Sequence, residues 1–212
     1  NDYNYQNTQF ISDYDSFGRV RNKQIKPKNS DNVIKTVYSY YDETDENDIT
    51  ILKSTINRIK NYDGSEEIIS YDENYNIIKR VVIKDDIITN VINYEYDDFR
   101  RLKKETRHTI SMSNIVTENY KASFEYDHNG NITRMIINEN GDLVKDLYYT
   151  YSSDNTNRLI SVYDDFEKTT KTITYNNLLY PSSYNNKNIT YRGNQVLKIG
   201  DVSFEYDSLG NR

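Results

Sequence analysis

The sequence has no cysteine or tryptophan, and only two prolines and seven glycines among its 212 residues. The lack of cysteine excludes disulfide bonds and thiolate metal sites, although it leaves the cellular compartment open. Alanine is also nearly absent, so helix propensity is poor along most of the chain. No apolar run reaches the roughly 18 residues that a membrane-spanning helix needs. We therefore expect no membrane span, and the first residues show no signal-peptide pattern.

The sequence also has fewer basic than acidic residues. The 33 acidic residues outnumber the 27 lysines and arginines, which gives a formal net charge of −6. This balance argues against nucleic acid and against an anionic membrane surface as partners. The chain opens with Asn1-Asp2-Tyr3 instead of methionine. We therefore expect it to be a processed or excised piece of a longer protein.

Tyrosine is the residue that the sequence has in abundance, with 22 copies, and isoleucine is also common. The hydrophobic fraction of 35% is close to that of disordered chains. However, tyrosine and isoleucine are strong strand formers, and tyrosine buries a large ring while its hydroxyl reaches water or a partner. The composition predicts a β protein with a thin, aromatic core.

One stretch, residues 124–134, has the pattern of a complete antiparallel hairpin. Phe124 and Tyr126 are two residues apart, so on a strand they share one face. Asp127 is favoured at the first turn position because its carboxylate accepts hydrogen bonds from the following backbone N–H groups. Gly130 is favoured at the fourth because glycine adopts positive φ without a Cβ clash.

This hairpin pattern recurs along the chain. Residues 204–212 repeat it almost letter for letter, residues 94–102 repeat it without the glycine, and residues 14–20 repeat it near the start. Eight Tyr-Asp pairs begin at Tyr14, Tyr41, Tyr62, Tyr71, Tyr96, Tyr126, Tyr163 and Tyr206. Random placement gives about two such pairs, so the sequence contains an internal repeat.

The spacing of the repeat predicts a stacked architecture. The tyrosines before the predicted turns are Tyr41, Tyr71, Tyr96, Tyr126, Tyr151, Tyr175, Tyr191 and Tyr206, at intervals of 15 to 30 residues. Such a period is typical of one short hairpin per unit, with neighbouring units forming a continuous core. We therefore expect a long, twisted, spiralling antiparallel sheet of hairpins, in an all-β fold.

Some copies depart from the pattern. Tyr75 occupies the usual glycine position, and we expect Asn76 to adopt the left-handed conformation there, because asparagine tolerates it best after glycine. Asp85-Asp86 and Asn140-Gly141 are predicted two-residue turns, the second favouring type I′. Residues 106–119 are less periodic and are interpreted as an irregular loop.

Two segments allow alternative interpretations. Residues 1–13 form either an incoming edge strand or a frayed terminus, and the pattern does not decide between them. The acidic residues 42–48 suggest either a calcium site or a solvated turn. A calcium loop needs oxygen ligands at alternate positions around a glycine. These acids fall irregularly and no glycine is present, so we favour the turn.

The motif Tyr-Asp-x-x-Gly-Asn-x-x-Arg resembles the YD repeat of the RHS family, which occurs in bacterial polymorphic toxins, Tc-toxin C components and animal teneurins. The match is close at Tyr126 and Tyr206 and nearly as good at Tyr14, and Asn157-Arg158-Leu159 resembles a common step of the family. Degenerate copies cover most of residues 14–212, which we interpret as about eight units.

The resemblance implies a strip of hairpins that spirals into a hollow shell, which in larger members encloses a C-terminal toxin domain. Those members carry a self-cleaving segment near the end of the shell, and nothing similar is found here. The last hairpin has no return strand in the sequence. We therefore expect a fragment of a longer repeat array that forms an open arc.

The candidate site is the repeat signature itself, for which two interpretations exist. Structurally, each tyrosine packs on its neighbour, the aspartate holds the turn, and the arginine after the turn reaches a carboxylate. Functionally, exposed tyrosines with asparagine and aspartate could bind sugar rings. We favour structure because every unit needs the signature. Its residues are Tyr14, Asp15, Gly18, Tyr71, Asp72, Tyr96, Asp97, Tyr126, Asp127, Gly130, Arg134, Tyr206, Asp207 and Gly210.

The sequence predicts no enzyme, no cofactor and no metal site. His108 and His128 are the only histidines, and His128 occupies a turn position held by other residue types in other copies. No glycine-rich phosphate loop, paired-histidine motif or serine elbow is present.

The chain is therefore expected to be a structural segment of a secreted or cell-surface bacterial RHS/YD-repeat protein. Its partner is the rest of its own longer chain, comprising the shell and a cargo domain. The alternative is a binding module for a carbohydrate or a cell-surface protein.

Overall fold

The computed structural model describes residues 8–27, 33–40, 42–44, 50–51, 53, 55–154, 157–207 and 210–211. Residues 1–7 of the N-terminal segment, most of the acidic segment 42–48, and Ser208, Leu209 and Arg212 of the last repeat lie outside this range. The contacts divide the chain into two compact units, residues 1–120 and 121–212.

The fold is all-β, as predicted. In unit 1 the strands are β1 (Thr8–Tyr14), β2 (Val20–Pro27), β3 (Ile34–Tyr40), β4 (Glu43–Thr44), β5 (Thr50–Ile51), β6 (Ile56–Lys60), β7 (Glu66–Tyr71), β8 (Ile77–Lys84), β9 (Ile87–Tyr96) and β10 (Leu102–Ile110). β11 (Val116–Tyr126) contains the division between the units. Unit 2 continues with β12 (Ile132–Glu139), β13 (Asp142–Tyr151), β14 (Leu159–Asp164), β15 (Thr169–Tyr175), β16 (Pro181–Tyr184), β17 (Lys187–Arg192), β18 (Gln195–Ile199) and β19 (Val202–Ser203). None of the described segments forms a helix able to cross a membrane.

Each unit is an antiparallel meander in which strands pair in sequence order. In unit 1 the order is β1–β2–β3–β6–β7–β8–β9–β10, and β4 and β5 pair separately as a small hairpin. In unit 2 the order runs from β12 to β19. The predicted tandem hairpins are therefore confirmed. β-branched and aromatic residues dominate strands such as β9, which explains why these segments are extended.

The core is as thin as the composition predicts. Ile69 and Ala122 are the only buried apolar residues in the described part of the chain, with 6% and 1% exposure. Asn22, Thr106 and Asp146 are buried polar residues. Because so little apolar surface is fully removed from water, hydrogen bonds between neighbouring strands and turns carry unusual weight in this fold.

A single type of five-residue turn recurs eight times in the described part of the chain. The first residue donates its N–H to the carbonyl of the fifth, and the fourth donates its N–H to the carbonyl of the first. The turns span residues 15–19, 61–65, 72–76, 97–101, 111–115, 127–131, 176–180 and 207–211. The fourth residue has positive φ in every one, whether it is glycine, as at Gly130, or not, as at Leu179.

This geometry corrects two expectations. The left-handed residue of the turn 72–76 is Tyr75 (φ 64°) and not Asn76, because the hydrogen bonds of the turn fix the conformation at the fourth position. Residues 106–119 are not an irregular loop. They belong to β10, the turn 111–115 and β11, and Ser111 occupies the position that aspartate holds elsewhere.

The expected two-residue turns are present. Asn140 and Gly141 have φ of 51° and 90°, and Asp85 and Asp86 have φ of 51° and 61°. Positive φ at both residues is the signature of a type I′ turn, whose twist matches that of the flanking strands.

Replacing Tyr75 with glycine is predicted to stabilise the protein. A left-handed conformation costs a residue with a Cβ about 1–2 kcal/mol, partly offset by the greater freedom of glycine in the unfolded chain. The Tyr75 side chain is 66% exposed, so its removal sacrifices little packing. We expect the free energy of unfolding in urea to rise by about 0.5–1 kcal/mol.

Tyr75→Ala is the matched control, because it removes the ring but keeps the Cβ, and it should give no gain. The converse variant is Gly130→Ala, whose added Cβ would meet no atom within 4 Å. Its predicted loss of about 1 kcal/mol is therefore purely conformational. Equal effects of Tyr75→Gly and Tyr75→Ala would contradict this account.

Candidate functional site

The repeated tyrosines form a series of hydrogen bonds that we call the tyrosine ladder. Each ladder tyrosine precedes a turn or, for Tyr40, the long connection to β6, and its hydroxyl donates to the backbone carbonyl of a residue at or next to the start of an earlier strand. In unit 1 the bonds are Tyr40 to Val20 (2.7 Å), Tyr71 to Ile56 (2.7 Å) and Tyr96 to Ile77 (2.8 Å). In unit 2 they are Tyr151 to Ile132 (3.0 Å), Tyr175 to Leu159 (2.8 Å), Tyr191 to Pro181 (2.8 Å) and Tyr206 to Val196 (2.9 Å).

Each ladder bond joins consecutive hairpins. Tyr71 pairs with Ile77 across the turn 72–76, and the carbonyl of Ile77 then accepts the hydroxyl of Tyr96. Tyr96 in turn pairs with Leu102 across the next turn. The ladder therefore satisfies a carbonyl beside a turn, where the regular pairing of the sheet is interrupted by a register shift. Burial raises the pKa of Tyr71, Tyr96 and Tyr151 above the usual tyrosine value.

The repeat pattern predicted a signature tyrosine at the end of β3. The repeat pattern assigned it to Tyr41, which lies outside the described residues. Tyr40 donates the ladder bond in this hairpin. Two adjacent tyrosines are equivalent in a composition pattern, and only the register of β3 distinguishes them.

The first residue of the turn supplies an acceptor for several donors. In the turn 72–76, Asp72 Oδ1 accepts the N–H groups of Asn74 (2.9 Å) and Asn76 (2.8 Å). Asp72 Oδ2 accepts the side-chain amide of Asn76 at 2.8 Å. Asp15, Asp97, Asp127, Asp207 and Asn176 hold the same position in their turns and accept the N–H of the fifth residue.

The fifth residue of the turn is either asparagine or arginine wherever its side chain bonds to this carboxylate. Arg19 and Arg101 donate Nε to Asp15 and Asp97, and Asn131 donates its amide to Asp127. The amide of Asn76 lowers the pKa of Asp72, and backbone N–H groups add to this effect while partial desolvation opposes it. The amide of Asn131 lowers the pKa of Asp127 in the same way.

Neighbouring turns within a unit are also joined by side chains. In unit 1, Arg100 Nη2 donates to Asn74 Oδ1 at 2.9 Å, which links the turns 97–101 and 72–76. In unit 2, Asn157 Oδ1 accepts amide hydrogens from Asn129 (3.2 Å) and Asn131 (3.1 Å). These contacts use polar groups of one turn to satisfy those of the next.

Arg19 makes several contacts of this kind. Its guanidinium donates to Asp15 Oδ2 (2.7 Å), Asp42 Oδ1 (2.7 Å) and the carbonyl of Lys53 (2.6 Å). It also lies over the ring of Tyr40, at 4.4 Å from the centroid. Hydrogen bonds to Asp42 and Asp15 raise the pKa of Arg19. Arg19 thus anchors the long connection between β3 and β6 to the turn 15–19.

The remaining signature residues occupy varied places. Tyr14 precedes the first turn and is 59% exposed, whereas Tyr126 precedes the turn 127–131 and is half-buried. Gly18, Gly130 and Gly210 are the left-handed fourth residues of their turns. The Tyr-Asp pairs at Tyr62 and Tyr163 do not follow the pattern. Tyr62 lies inside the turn 61–65, and Tyr163 lies within β14.

Arg134 makes a two-pronged ion pair with a buried carboxylate. Its Nε and Nη2 lie 2.9 Å and 2.8 Å from the two oxygens of Asp146, whose side chain is only 10% exposed. The hydrogen bonds to Asp146 raise the pKa of Arg134. The guanidinium also lies 4.8 Å from the ring centroid of Tyr148. The ring centroids of Tyr148 and Tyr163 are 6.4 Å apart.

Asp146 had no role in the sequence interpretation, although the expectation for Arg134 called for an unnamed carboxylate. Its position in the middle of β13, opposite Ile136 across the strand pair, gives no sequence signal that separates it from other acids. The described residues contain no group of three metal-ligating side chains. His128 is exposed in the turn 127–131.

Comparison with solved structures supports the fold. The chain is similar to part of the Tc holotoxin pore of Photorhabdus luminescens with a TccC3 variant, with a TM-score of 0.63 and 12% identity. This match covers 94% of the present chain and 11% of that chain. No family model and no curated protein sequence matches the chain.

Two weaker structural matches have TM-scores below 0.5. TcdB2–TccC3 without its hypervariable C-terminal region matches with a TM-score of 0.48 and 14% identity, over 91% of this chain and 12% of that chain. A porin-like protein from Bacteroides uniformis matches with a TM-score of 0.43 and 11% identity, over 88% of this chain and 85% of that chain. The chain thus has a β fold found in a Tc toxin structure and spans about 11% of that chain's length.

Removing a ladder hydroxyl should destabilise the protein. Tyr96→Phe keeps the ring but leaves the carbonyl of Ile77 without its side-chain donor. A typical loss for such a bond is about 1 kcal/mol in the free energy of unfolding, measured in urea. Tyr62→Phe is the control, because this ring is 68% exposed and lies outside the ladder. Its effect should stay within about 0.5 kcal/mol, and equal losses in both variants would refute the role of the ladder.

The turn carboxylates should make stability sensitive to acid. The pKa of Asp72 is lowered in the folded state, so its contribution is present above the unfolded pKa of about 4 and is lost as pH falls through the folded value. Asp72→Asn keeps an acceptor, as Asn176 does naturally, but cannot titrate. Urea unfolding of this variant should show a shallower loss of stability below pH of about 4. Asp98→Asn, at an exposed position, is the control and should match the unaltered chain.

Proposed function

We propose that the chain is a non-catalytic structural segment of an RHS/YD-repeat protein. In this role it forms part of a β-shell that encloses or presents a C-terminal effector domain. The repeat signature supports membership of this family, and the likeness to the Tc holotoxin pore supports the shell. The low coverage of that chain supports placement within a much longer polypeptide.

The observation that carries this proposal is the internal use of the signature side chains. Seven ladder hydroxyls donate to backbone carbonyls of the same chain. The carboxylates of Asp72 and Asp127 accept several donors within their own turns. Polar groups that are committed to the scaffold in each repeat have little capacity left for a ligand. The pattern therefore fits a wall element whose function is to extend the sheet.

As part of this proposal, we infer that the protein is secreted or exposed on the bacterial cell surface. A secreted or surface toxin of this kind needs a carrier that keeps its effector domain enclosed until delivery. The effector domain is then the principal partner of the wall, and the neighbouring repeats of the same polypeptide complete the enclosure.

Limited proteolysis of the full-length polypeptide tests this function. We expect its C-terminal domain to resist protease while the repeat array is folded, and to become sensitive when the array is opened. Combining Tyr96→Phe with Tyr151→Phe should weaken the array and accelerate cleavage of the enclosed domain. The matched control combines Tyr62→Phe with Tyr75→Phe, at two exposed rings. Cleavage as fast as that of the separately produced C-terminal domain would contradict enclosure.

A second candidate function is carbohydrate binding, which one local feature of unit 2 favours. Tyr148 and Tyr163 lie side by side with 38% and 37% exposure, and Asp165 accepts the hydroxyl of Tyr163 at 3.2 Å. Two accessible rings flanked by charged groups could stack on a sugar.

A glycan array separates the two functions. The structural role predicts no saturable binding by the chain. Saturable binding that disappears in Tyr148→Ala but persists in Tyr62→Ala would instead establish a carbohydrate module in unit 2.

A further inference from the structure

The outer edge of β1 has the properties of an unfilled pairing site. β1 pairs with β2 on one side, and no described strand pairs with its other side. Phe10 is 70% exposed and Ile11 is 39% exposed. Because consecutive residues of a strand point to opposite faces, apolar side chains lie uncovered on both faces of the sheet beside this edge.

β1 carries little of the usual protection of an edge strand, because Asp13 is its one charged residue. Natural edges are kept from pairing by short strands, lysines, prolines or inward charges. β1 has seven residues with the sequence Thr-Gln-Phe-Ile-Ser-Asp-Tyr, which contains neither lysine nor proline. Its sequence is therefore more typical of an interior strand, which pairs on both sides, than of a protected edge strand.

Tyr14 marks where that neighbour belongs. It precedes the turn 15–19 and pairs with Val20, as Tyr71 precedes the turn 72–76 and pairs with Ile77. The ladder tyrosines are half-buried and bonded to a carbonyl, whereas Tyr14 is 59% exposed. No residue in the described part of the chain accepts a hydrogen bond from its hydroxyl. Tyr14 is thus a ladder position whose acceptor would lie on a strand beyond β1.

We propose that the outer edge of β1 binds one further strand of the same repeat type, antiparallel to β1. The carbonyl of the first residue of that strand accepts the hydroxyl of Tyr14, as Val20 accepts that of Tyr40. The strand is supplied by residues that precede the repeat in the longer polypeptide. This inference rests on the proposed function, because only an array that continues beyond β1 supplies such a strand.

The ladder also indicates the chemistry of the incoming strand. Every described ladder acceptor is an apolar residue at or next to the start of a strand: Val20, Ile56, Ile77, Ile132, Leu159, Pro181 and Val196. A second copy of β1 would instead bring Thr8 opposite Tyr14, and each copy carries a net charge of −6. A post-turn strand with an apolar first residue is therefore the better match.

A grafted strand tests the proposal on the whole chain. A copy of residues 132–141, which form β12 and its following turn, is placed directly before Tyr5. Tyr14 then follows the copied glycine at the same spacing as Tyr151 follows Gly141. We expect the graft to raise the stability of the chain and to slow hydrogen exchange at the backbone amides of residues 8–14.

Tyr14→Phe identifies the ladder bond within the graft. In the grafted chain this change should reduce the folding equilibrium constant about fivefold, the equivalent of one hydrogen bond, and in the ungrafted chain it should have almost no effect. Tyr62→Phe should behave alike in both chains. A graft that leaves stability and exchange unchanged, or a Tyr14→Phe effect that is the same in both chains, would overturn the proposal.

If the grafted chain does not fold, the free peptide of residues 132–139 is added to the ungrafted chain instead. Absence of protection from hydrogen exchange at residues 8–14 would then overturn the proposal equally.

Sedimentation of the ungrafted chain tests whether a second copy of the chain occupies the edge of β1 instead. Concentration-dependent dimers that disappear in Phe10→Lys would assign the edge to a second copy and would also overturn the proposal. A monomer at all concentrations agrees with it. These outcomes are separable from the proteolysis of the full-length polypeptide, because enclosure of a C-terminal domain does not depend on which chain covers β1.

Discussion

The hydrogen bond from a tyrosine hydroxyl to a carbonyl of the preceding hairpin is the interaction on which this fold depends. A single layer of short hairpins has almost no interior, and only Ile69 and Ala122 among the described residues are buried apolar side chains. The sheet must also interrupt its regular pairing at each turn, which leaves backbone groups in need of partners. Tyrosine meets both needs, because its ring covers the neighbouring strand and its hydroxyl reaches the carbonyl beside the turn. Hydrophobic contact and polar satisfaction therefore come from the same residue in each repeat.

The turn and the ladder bond depend on each other geometrically. Tyr71 pairs with Ile77 across a turn, and Ile77 then receives the hydroxyl of Tyr96. The carboxylate of Asp72 fixes the shape of that turn and hence the position of the carbonyl that the next tyrosine needs. The two residues of the Tyr-Asp pair thus have separate roles. The tyrosine donates a hydrogen bond to the preceding hairpin, and the aspartate accepts hydrogen bonds within the following turn. A repeat built in this way extends by addition of identical parts, as expected for the wall of a shell.

The sequence was sufficient to predict the β fold, the hairpin repeat and which tyrosines precede most of the turns, because period and turn chemistry are local properties. It also predicted that each of these tyrosines packs on its neighbour, but the Tyr–Tyr ring contacts among the described residues are Tyr148–Tyr163 and Tyr180–Tyr191, and neither joins two ladder tyrosines. It could not separate Tyr40 from Tyr41, since register depends on pairing with another strand. It misplaced the left-handed residue at Asn76, where the hydrogen bonds of the turn outweigh the preference of asparagine and impose positive φ on Tyr75. The ladder acceptors could not be predicted from the sequence either, because every residue type has the same backbone carbonyl. Asp146 was missed for a related reason, since nothing but the folded strand pair brings it to Arg134.

The most direct test of this account is the urea unfolding of a chain in which the seven ladder tyrosines are replaced together by phenylalanine. These are Tyr40, Tyr71, Tyr96, Tyr151, Tyr175, Tyr191 and Tyr206. At about 1 kcal/mol for each bond, the summed loss is comparable to the whole stability of a typical domain, so the account predicts loss of cooperative unfolding. The control replaces seven tyrosines outside the ladder: Tyr38, Tyr62, Tyr75, Tyr120, Tyr148, Tyr180 and Tyr184. A ladder-free chain that unfolds as cooperatively as this control, at the same urea concentration, would contradict the central claim.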